Sequence, residues 1–499
     1  MPVRLTVSSG LRLVPIALAA LVYSPIVRNF FMGDDFLHLY HLANLPLLQN
    51  LVEPFGGHLY CARNAVFALL HHIAGAEPRW FFTAMLVTHL VNVWLLYDVI
   101  LVFGGSRHLA CAGAALWGTA PVLAGTLEWY SAHGIALTAT CLLVVLRQLG
   151  RVAGRGRLPS GPQVALWYGL LLVGATCYGI GIAAALAFPV VAWLLLPAMS
   201  GRRAVVAVLG STWITVPLLY VADHQVWVAA YGGEPAAMPF VFAQLRTPRA
   251  PAEMLLGLLG YGATAAHVGL LWPDGVVPSA VWWGSIVAFI VGVVGALVAG
   301  PERYRRAILT FLVMAGATYA FIAAGRGNLY AVFLGPDATP LTIAETPRYH
   351  YLGALAFIAT SCLVLAAAAE RVRLPARAKD MLLGTLLAGI VIAHGHGQWR
   401  MNDWATERQQ TAEFLGAIRR TARARPPGAD VYIRNRMFTP AGPLLTPRAF
   451  PGWAAAFVIF FPDDTVEGRR IRFTTSDQEA LAGARDGLRS ATVLVPAQP

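Results

Sequence analysis

Apolar residues run along this chain in long blocks rather than at the spacing of about 2 or 3.6 that marks a single buried face. The blocks fall near 11–29, 80–103, 108–127, 131–149, 164–180, 182–198, 204–222, 278–299, 307–324, 350–369 and 381–397. Crossing a bilayer as a helix takes about 20 apolar residues, so the pattern predicts an all-α polytopic membrane protein with about eleven transmembrane helices. One further apolar stretch, 254–271, is expected to re-enter or lie along the outer surface, because another crossing would invert everything after it. Beyond about 398 the pattern changes. Residues 403–423 read as a polar amphipathic helix, and 430–435, 456–461, 471–475 and 491–495 as short strands, a small C-terminal α/β domain on the outer face. The division is 1–397 for the transmembrane module, with a core to 222 and a variable part from 223, and 398–499 for the tail.

Composition agrees with the blocks. Of 499 residues 57% are hydrophobic and only 12% charged, which excludes an ordinary soluble fold. The net charge of +12 could point to nucleic acid, but the arginines sit in short clusters between apolar blocks: Arg147, Arg151, Arg155 and Arg157; Arg202 and Arg203; Arg303, Arg305 and Arg306; Arg371, Arg373, Arg377 and Lys379. With the N-terminus inside, every cluster falls on the cytoplasmic side, the positive-inside pattern of a multi-pass plasma-membrane protein and not a nucleic-acid stripe. Lys379 is the only lysine, which removes Walker, Schiff-base and lysine-base chemistry. Cys61, Cys111, Cys141, Cys177 and Cys362 form neither a disulfide framework nor a zinc motif. Arg4 and Arg12 precede an apolar run ending near Val27, so the N-terminus reads as a retained first span rather than a cleaved leader.

The unusual residues lie in the outer loops. Phe31-Met32-Gly33-Asp34-Asp35-Phe36 follows the first span directly. A solvated loop with Asp35 as helix N-cap and Phe36 packing back is one reading. The flanking aromatics favour another, a carboxylate held at the apolar boundary where burial raises its pKa and suits it to be a general base. Glu128 and His133 lie in the short turn between the third and fourth spans, either as part of an interfacial aromatic belt or facing the first loop's acids across a cavity. Arg326 and the run Arg348-Tyr349-His350-Tyr351 put arginines on the outer face, against the general bias. Each snorkels to lipid headgroups or holds a phosphate, which a guanidinium binds bidentately. Arg63, within an amphipathic stretch of the first loop, poses the same choice.

Several look-alikes carry less. Gly179-Ile180-Gly181 lies in an apolar hairpin and reads as small-residue helix packing, not a dinucleotide fingerprint. His71-His72 and His394-Gly395-His396 have no third ligand at zinc spacing. His89 and His267, inside apolar stretches, read as helix–helix hydrogen-bonding groups.

The order of features resembles the GT-C glycosyltransferases, including protein O-mannosyltransferase and aminoarabinose transferase relatives, which use polyprenyl-phosphate-linked sugars. That order is a first span, an outer Gly-Asp-Asp-Phe, an amphipathic outer helix with Arg63, a second span, and an acid in the next outer loop. The resemblance covers roughly the first 220 residues and the run beginning at Arg348. It implies a glycosyltransferase, inverting, with Asp34 or Asp35 as the first-loop catalytic acid and Glu128 as the second-loop acid that positions acceptor or metal. It implies that Arg63, Arg326 and Arg348, with Tyr349, His350 and His133 beside them, hold the lipid phosphate. The implied partners are a polyprenyl-phosphate-linked sugar donor, membrane lipids and an acceptor. The active site and the tail would face the outside of a bacterial inner membrane. No cofactor is certain, and a divalent cation, Mg or Mn, stays open; Ala62-Arg63-Asn64 departs from the Arg-Pro of many relatives. The alternatives are a lipid or glycolipid flippase, which would carry ionisable residues at mid-span, and a non-catalytic scaffold of the same fold.

Overall fold

A computed structural model of the chain describes residues 10–32, 34–55, 58–231, 248–271, 277–327, 339–372, 375–395, 404–434, 460–461, 465–466, 468–474 and 490–494. The chain begins with α1 (Gly10–Tyr23), which tightens into a 3-10 turn at Ser24–Arg28 where Pro25 follows. The first loop folds as α2 (Asp34–Asn44), α3 (Leu47–Leu51) and α4 (Cys61–Ala74). The long α5 (Pro78–Gly104) and α6 (Arg107–Gly118) lead to 3-10 turns at Pro121–Leu123 and Tyr130–Ala132 that flank the short α7 (Ala124–Leu127). Then come α8 (His133–Gly154), α9 (Gly161–Ala175), α10 (Gly179–Leu195), α11 (Arg202–Gly210) and α12 (Thr212–Tyr231). After them stand α13 (Arg249–Val268), α14 (Ser279–Ala299), α15 (Glu302–Arg326), α16 (Pro340–Ala344), α17 (Tyr351–Val372), α18 (Ala376–Gly395) and α19 (Trp404–Arg423).

Seven of these helical stretches are long and apolar enough to cross a membrane, or eight if the bent pair Arg107–Gly118 and Pro121–Leu127 is one span. The count falls short of the expected eleven: the span at 381–397 falls on α18, which is not among the seven or eight, and the spans at 164–180 and 182–198 become α9 and α10, of 15 and 17 residues. At 1.5 Å per residue these reach only about 22–26 Å, short of a full hydrocarbon core. The break falls at 176–178 rather than at Gly181, because Tyr178 turns extended there to start α10. The bend of 51° in the third span falls at Pro121, which cannot continue the hydrogen-bond ladder of α6. On α14, Val287, Ile290, Val291, Val294 and Val298 are exposed, a surface that only lipid would leave without cost.

Polar groups on α5 bond across to neighbouring helices. His89 on α5 bonds the Tyr351 hydroxyl (2.9 Å) and the Gly118 carbonyl (3.0 Å), while Asn92 donates to the Ala136 carbonyl (2.8 Å) and accepts from Thr140 Oγ1 (2.7 Å). One end of the bundle collects the arginines. Arg12 and Arg147 pair with Asp98, His108 with Asp380, Arg303 with Glu370, and Arg371 caps the Ala299 carbonyl at the end of α14. This end is the basic face; the opposite end is the site face.

The contacts of α13 fix its course. Tyr261 packs on Trp282, Thr264 accepts from Ser285, and His267 packs on Phe289, so α13 and α14 run side by side in the same direction. Since α14 ends at the basic face, where Arg371 meets Ala299, both run from the site face toward the basic face. His267, bonded to Ser361 Oγ at 2.7 Å, lies level with Phe289, ten residues or about 15 Å short of the end of α14. Met254, Leu258 and Gly262–Ala266 are buried, so α13 dips into the bundle rather than lying on its surface.

The tail forms a four-stranded sheet in the order β2 (Thr465–Val466), β3 (Arg469–Thr474), β1 (Asp430–Arg434), β4 (Ser490–Leu494), with β1 parallel to both neighbours and β2 antiparallel to β3. Leu415, Ile418 and Ala422 of α19 pack on Val431, Val466 and Ile471 of the sheet, the apolar stripe meeting one sheet face. Of the expected strand at 456–461, residues 456–459 lie outside the described residues. Phe460 is not in a strand; it packs against Phe30 (5.6 Å) and Phe36 (6.5 Å), which seats the tail on the site face.

Candidate active site

Two adjacent acids open α2, where the helix dipole favours negative charge, yet they do different things. Asp35 is wholly buried. Its Oδ2 accepts from the Met32 amide (3.0 Å) and its Oδ1 from both the Ser131 amide (2.6 Å) and the Ser131 hydroxyl (2.5 Å). It is therefore not a solvated helix N-cap, the first of the two readings, but a bond between the first loop and the turn before α8. Burial pushes its pKa up to about 6, against the opposing pull of those hydrogen bonds. Asp34, partly buried, makes no hydrogen bond or ion pair among the described residues. Burial raises its pKa, while Arg348, Arg63 and Arg326, in that order, pull it back.

Those three arginines come from three separate parts of the chain. Arg63 on α4 is 1% exposed, which excludes snorkelling. Its guanidinium lies over Tyr60 (4.7 Å) and Phe67 (4.9 Å), Nη1 donates to Asn64 Oδ1 (2.9 Å), and buried Nε and Nη2 have no hydrogen-bond partner among the described residues. Gly134 lets it pass, since a Cβ there would stand 3.3 Å from Arg63 Cγ and 2.0 Å from the Cys177 carbonyl oxygen. Arg348 lies over Trp129 (4.9 Å), and its backbone is fixed by Thr126, which donates to the Arg348 carbonyl (3.2 Å). Gly125 permits this docking, a Cβ there being 2.8 Å from the Arg348 nitrogen. Arg326 ends α15, and its Nη2 donates to His58 Nε2 (3.0 Å).

His58, Tyr60 and Tyr178 complete the lining. His58 stacks on Tyr178 at 4.3 Å. Burial first, then Arg326, Arg63 and Arg348, hold its pKa well below the usual histidine value, so it is neutral and Nε2 accepts. Tyr178 feels Arg326, Arg348, Tyr349 and Asp34. Gly179 earns its place here, because a Cβ would stand 2.5 Å from His58 Nδ1. Sequence reasoning missed these three residues. The run His58-Leu59-Tyr60 before Arg63 was the only signal, and nothing in it announces that Tyr178, 120 positions along, will stack there.

Other expected residues fall elsewhere. Glu128 is buried on the α1 side of its turn, in the field of Tyr23. His133, in the field of Arg63, has its ring nitrogens occupied by Thr88 (3.0 Å) and Tyr130 (3.1 Å), and His350 by the Tyr319 hydroxyl (2.8 Å) and the Ala344 carbonyl (2.6 Å). Tyr349 is nearly buried and hydrogen-bonds Arg348. Gly33 lies outside the described residues. Among the described residues no three His, Cys, Asp or Glu stand together as a metal group. The set around Asp34, three guanidiniums, repels a cation and gathers an anion.

No protein-family model matches the chain, and no curated protein matches it. A solved structure, that of ArnT from Cupriavidus metallidurans bound to undecaprenyl phosphate, matches over 97% of this chain and 90% of that one, with 14% identity and a TM-score of 0.46. A likeness this loose assigns no role to any residue.

Proposed function

We propose that the chain is a membrane glycosyltransferase that moves a sugar from a polyprenyl-phosphate carrier to an acceptor at the site face. The observation that carries this reading is the carboxylate of Asp34 lying unbonded in the field of three partly or fully buried arginines at the membrane boundary. Arg63 is buried with its Nε and Nη2 unpartnered among the described residues, and three guanidiniums outweigh the one carboxylate, so the site is matched to an anionic ligand, and the apolar surround to one with a lipid tail. In the transfer, Asp34 takes the proton from the acceptor's attacking group as that group bonds to the anomeric carbon. The bond from that carbon to the phosphate oxygen breaks, and the oxygen leaves with the electron pair. Arg63, Arg326 and Arg348 stabilise the charge that develops there. Attack opposite the leaving group inverts the sugar. Asp35 sets the loop that presents Asp34, and no step needs a metal. The basic face is cytoplasmic by the positive-inside bias, so the chemistry faces outward. The test is transfer from a polyprenyl-phosphate sugar by purified protein. Asp34→Asn should lower turnover by about 10²–10⁴ with the fold kept; a folded Asp34→Asn variant with full turnover would sink the base assignment.

A further inference from the structure

At the basic face three helices converge on one carboxylate. Asp98, near the end of α5, is 6% exposed and meets Arg12 Nη2 of α1 at 2.5 Å, Arg147 Nε of α8 at 2.6 Å and Arg151 Nη2 of α8 at 3.8 Å. Three guanidiniums against one carboxylate leave two positive charges over. Arg155 adds to the field at Arg151, and Arg107 joins Arg12 in acting on the adjacent Tyr97. Among the described residues no second acid pairs with Arg12, Arg147 or Arg151. The three side chains are 33%, 25% and 36% exposed, so each is anchored at Asp98 yet partly open outward. Among the described residues the buried Nε atoms of Arg12 and Arg151 lack hydrogen-bond partners, and the Arg12 guanidinium lies 4.7 Å over the ring of Trp94, which is 38% exposed.

A helix-to-helix bond would need one arginine. Three around a single buried acid, open on one side and level with a surface tryptophan, make a ready-built phosphate receptor, because a guanidinium matches a phosphodiester bidentately. We propose that Arg12, Arg147 and Arg151, spaced by Asp98, bind the phosphodiester headgroup of an anionic phospholipid in the leaflet at the basic face. This site lies at the opposite end of the bundle from Asp34 and does not depend on the transferase reading. Occupancy ties α1, α5 and α8 together, so the lipid stabilises the fold by mass action.

The experiment measures thermal unfolding of the purified full chain in neutral detergent with phosphatidylglycerol, phosphatidylcholine or inorganic phosphate. Phosphatidylglycerol should raise the midpoint and the other two should not. Arg147→Gln and Arg151→Gln should each weaken the apparent lipid affinity by about tenfold, whereas Arg203→Gln, an exposed arginine of the same face, should leave it unchanged. Should Arg147→Gln fail to fold, Arg151→Gln, which removes the loosest contact, decides the matter alone. Equal responses to the two lipids, or a full response in the Arg151→Gln protein, would overturn the site. A response to inorganic phosphate as large as that to phosphatidylglycerol would overturn a lipid as its source.

Discussion

At the residue scale, adjacent acids with one sequence environment receive opposite fates. Asp35 spends its oxygens on Met32 and Ser131, so Asp35→Asn, which turns an acceptor into a donor facing those groups, should cost about 1–3 kcal/mol. Denaturation of the variant against the parent checks this, and the loss should appear in stability before turnover. For Asp34 the consequence is in the pH profile. A base acts when deprotonated, and burial raises the pKa of Asp34, so turnover should fall as pH drops through a value above the ordinary carboxylate range. An acid limb near the pKa of a free aspartate would contradict the burial argument. Arg63→Gln should raise KM for the donor more than it lowers kcat if it grips the phosphate in the ground state as well.

At the element scale, the site depends on where helices may touch. The turn at 176–178 receives the start of α4 through the Ala62 amide, which donates to the Thr176 carbonyl (3.1 Å), and presents Tyr178 to His58. Gly179→Ala would push its methyl against the His58 ring and shift Arg326 with it. The expected result is a loss of about 1–3 kcal/mol together with weaker donor binding, measured by unfolding and by KM. Gly169→Ala, where a Cβ meets nothing within 4 Å, should be silent and serves as the control.

At the scale of the whole molecule, the parallel course of α13 and α14 sets the number of crossings. Arg249→Cys and Ser279→Cys, in a protein without other cysteines, should react with a membrane-impermeant thiol reagent from the same side as Leu48→Cys. Arg203→Cys and Arg305→Cys should react only from the other. Labelling of positions 249 and 279 from opposite sides would mean that α13 crosses. The tail shares the side of Leu48 through the packing of Phe460 on Phe30 and Phe36.

The hydrophobic blocks and the arginine clusters by themselves determined that this is a helical membrane bundle, since apolar length and charge asymmetry are local quantities written along the chain. The tail's helix and three of its strands were legible for the same reason, whereas the two-residue β2 is held only by its pairing with β3. Sequence also marked Asp34, Asp35, Arg63, Arg326 and Arg348 as unusual, because charge at a membrane boundary is costly wherever the chain goes next. Only tertiary structure separated the surroundings of Asp34 from those of Asp35, gave the ring nitrogens of His133 and His350 their hydrogen-bond partners, and brought His58 and Tyr178 to Arg326. A side chain's freedom depends on which hydrogen-bond partners arrive from distant elements, and periodicity carries no record of those meetings.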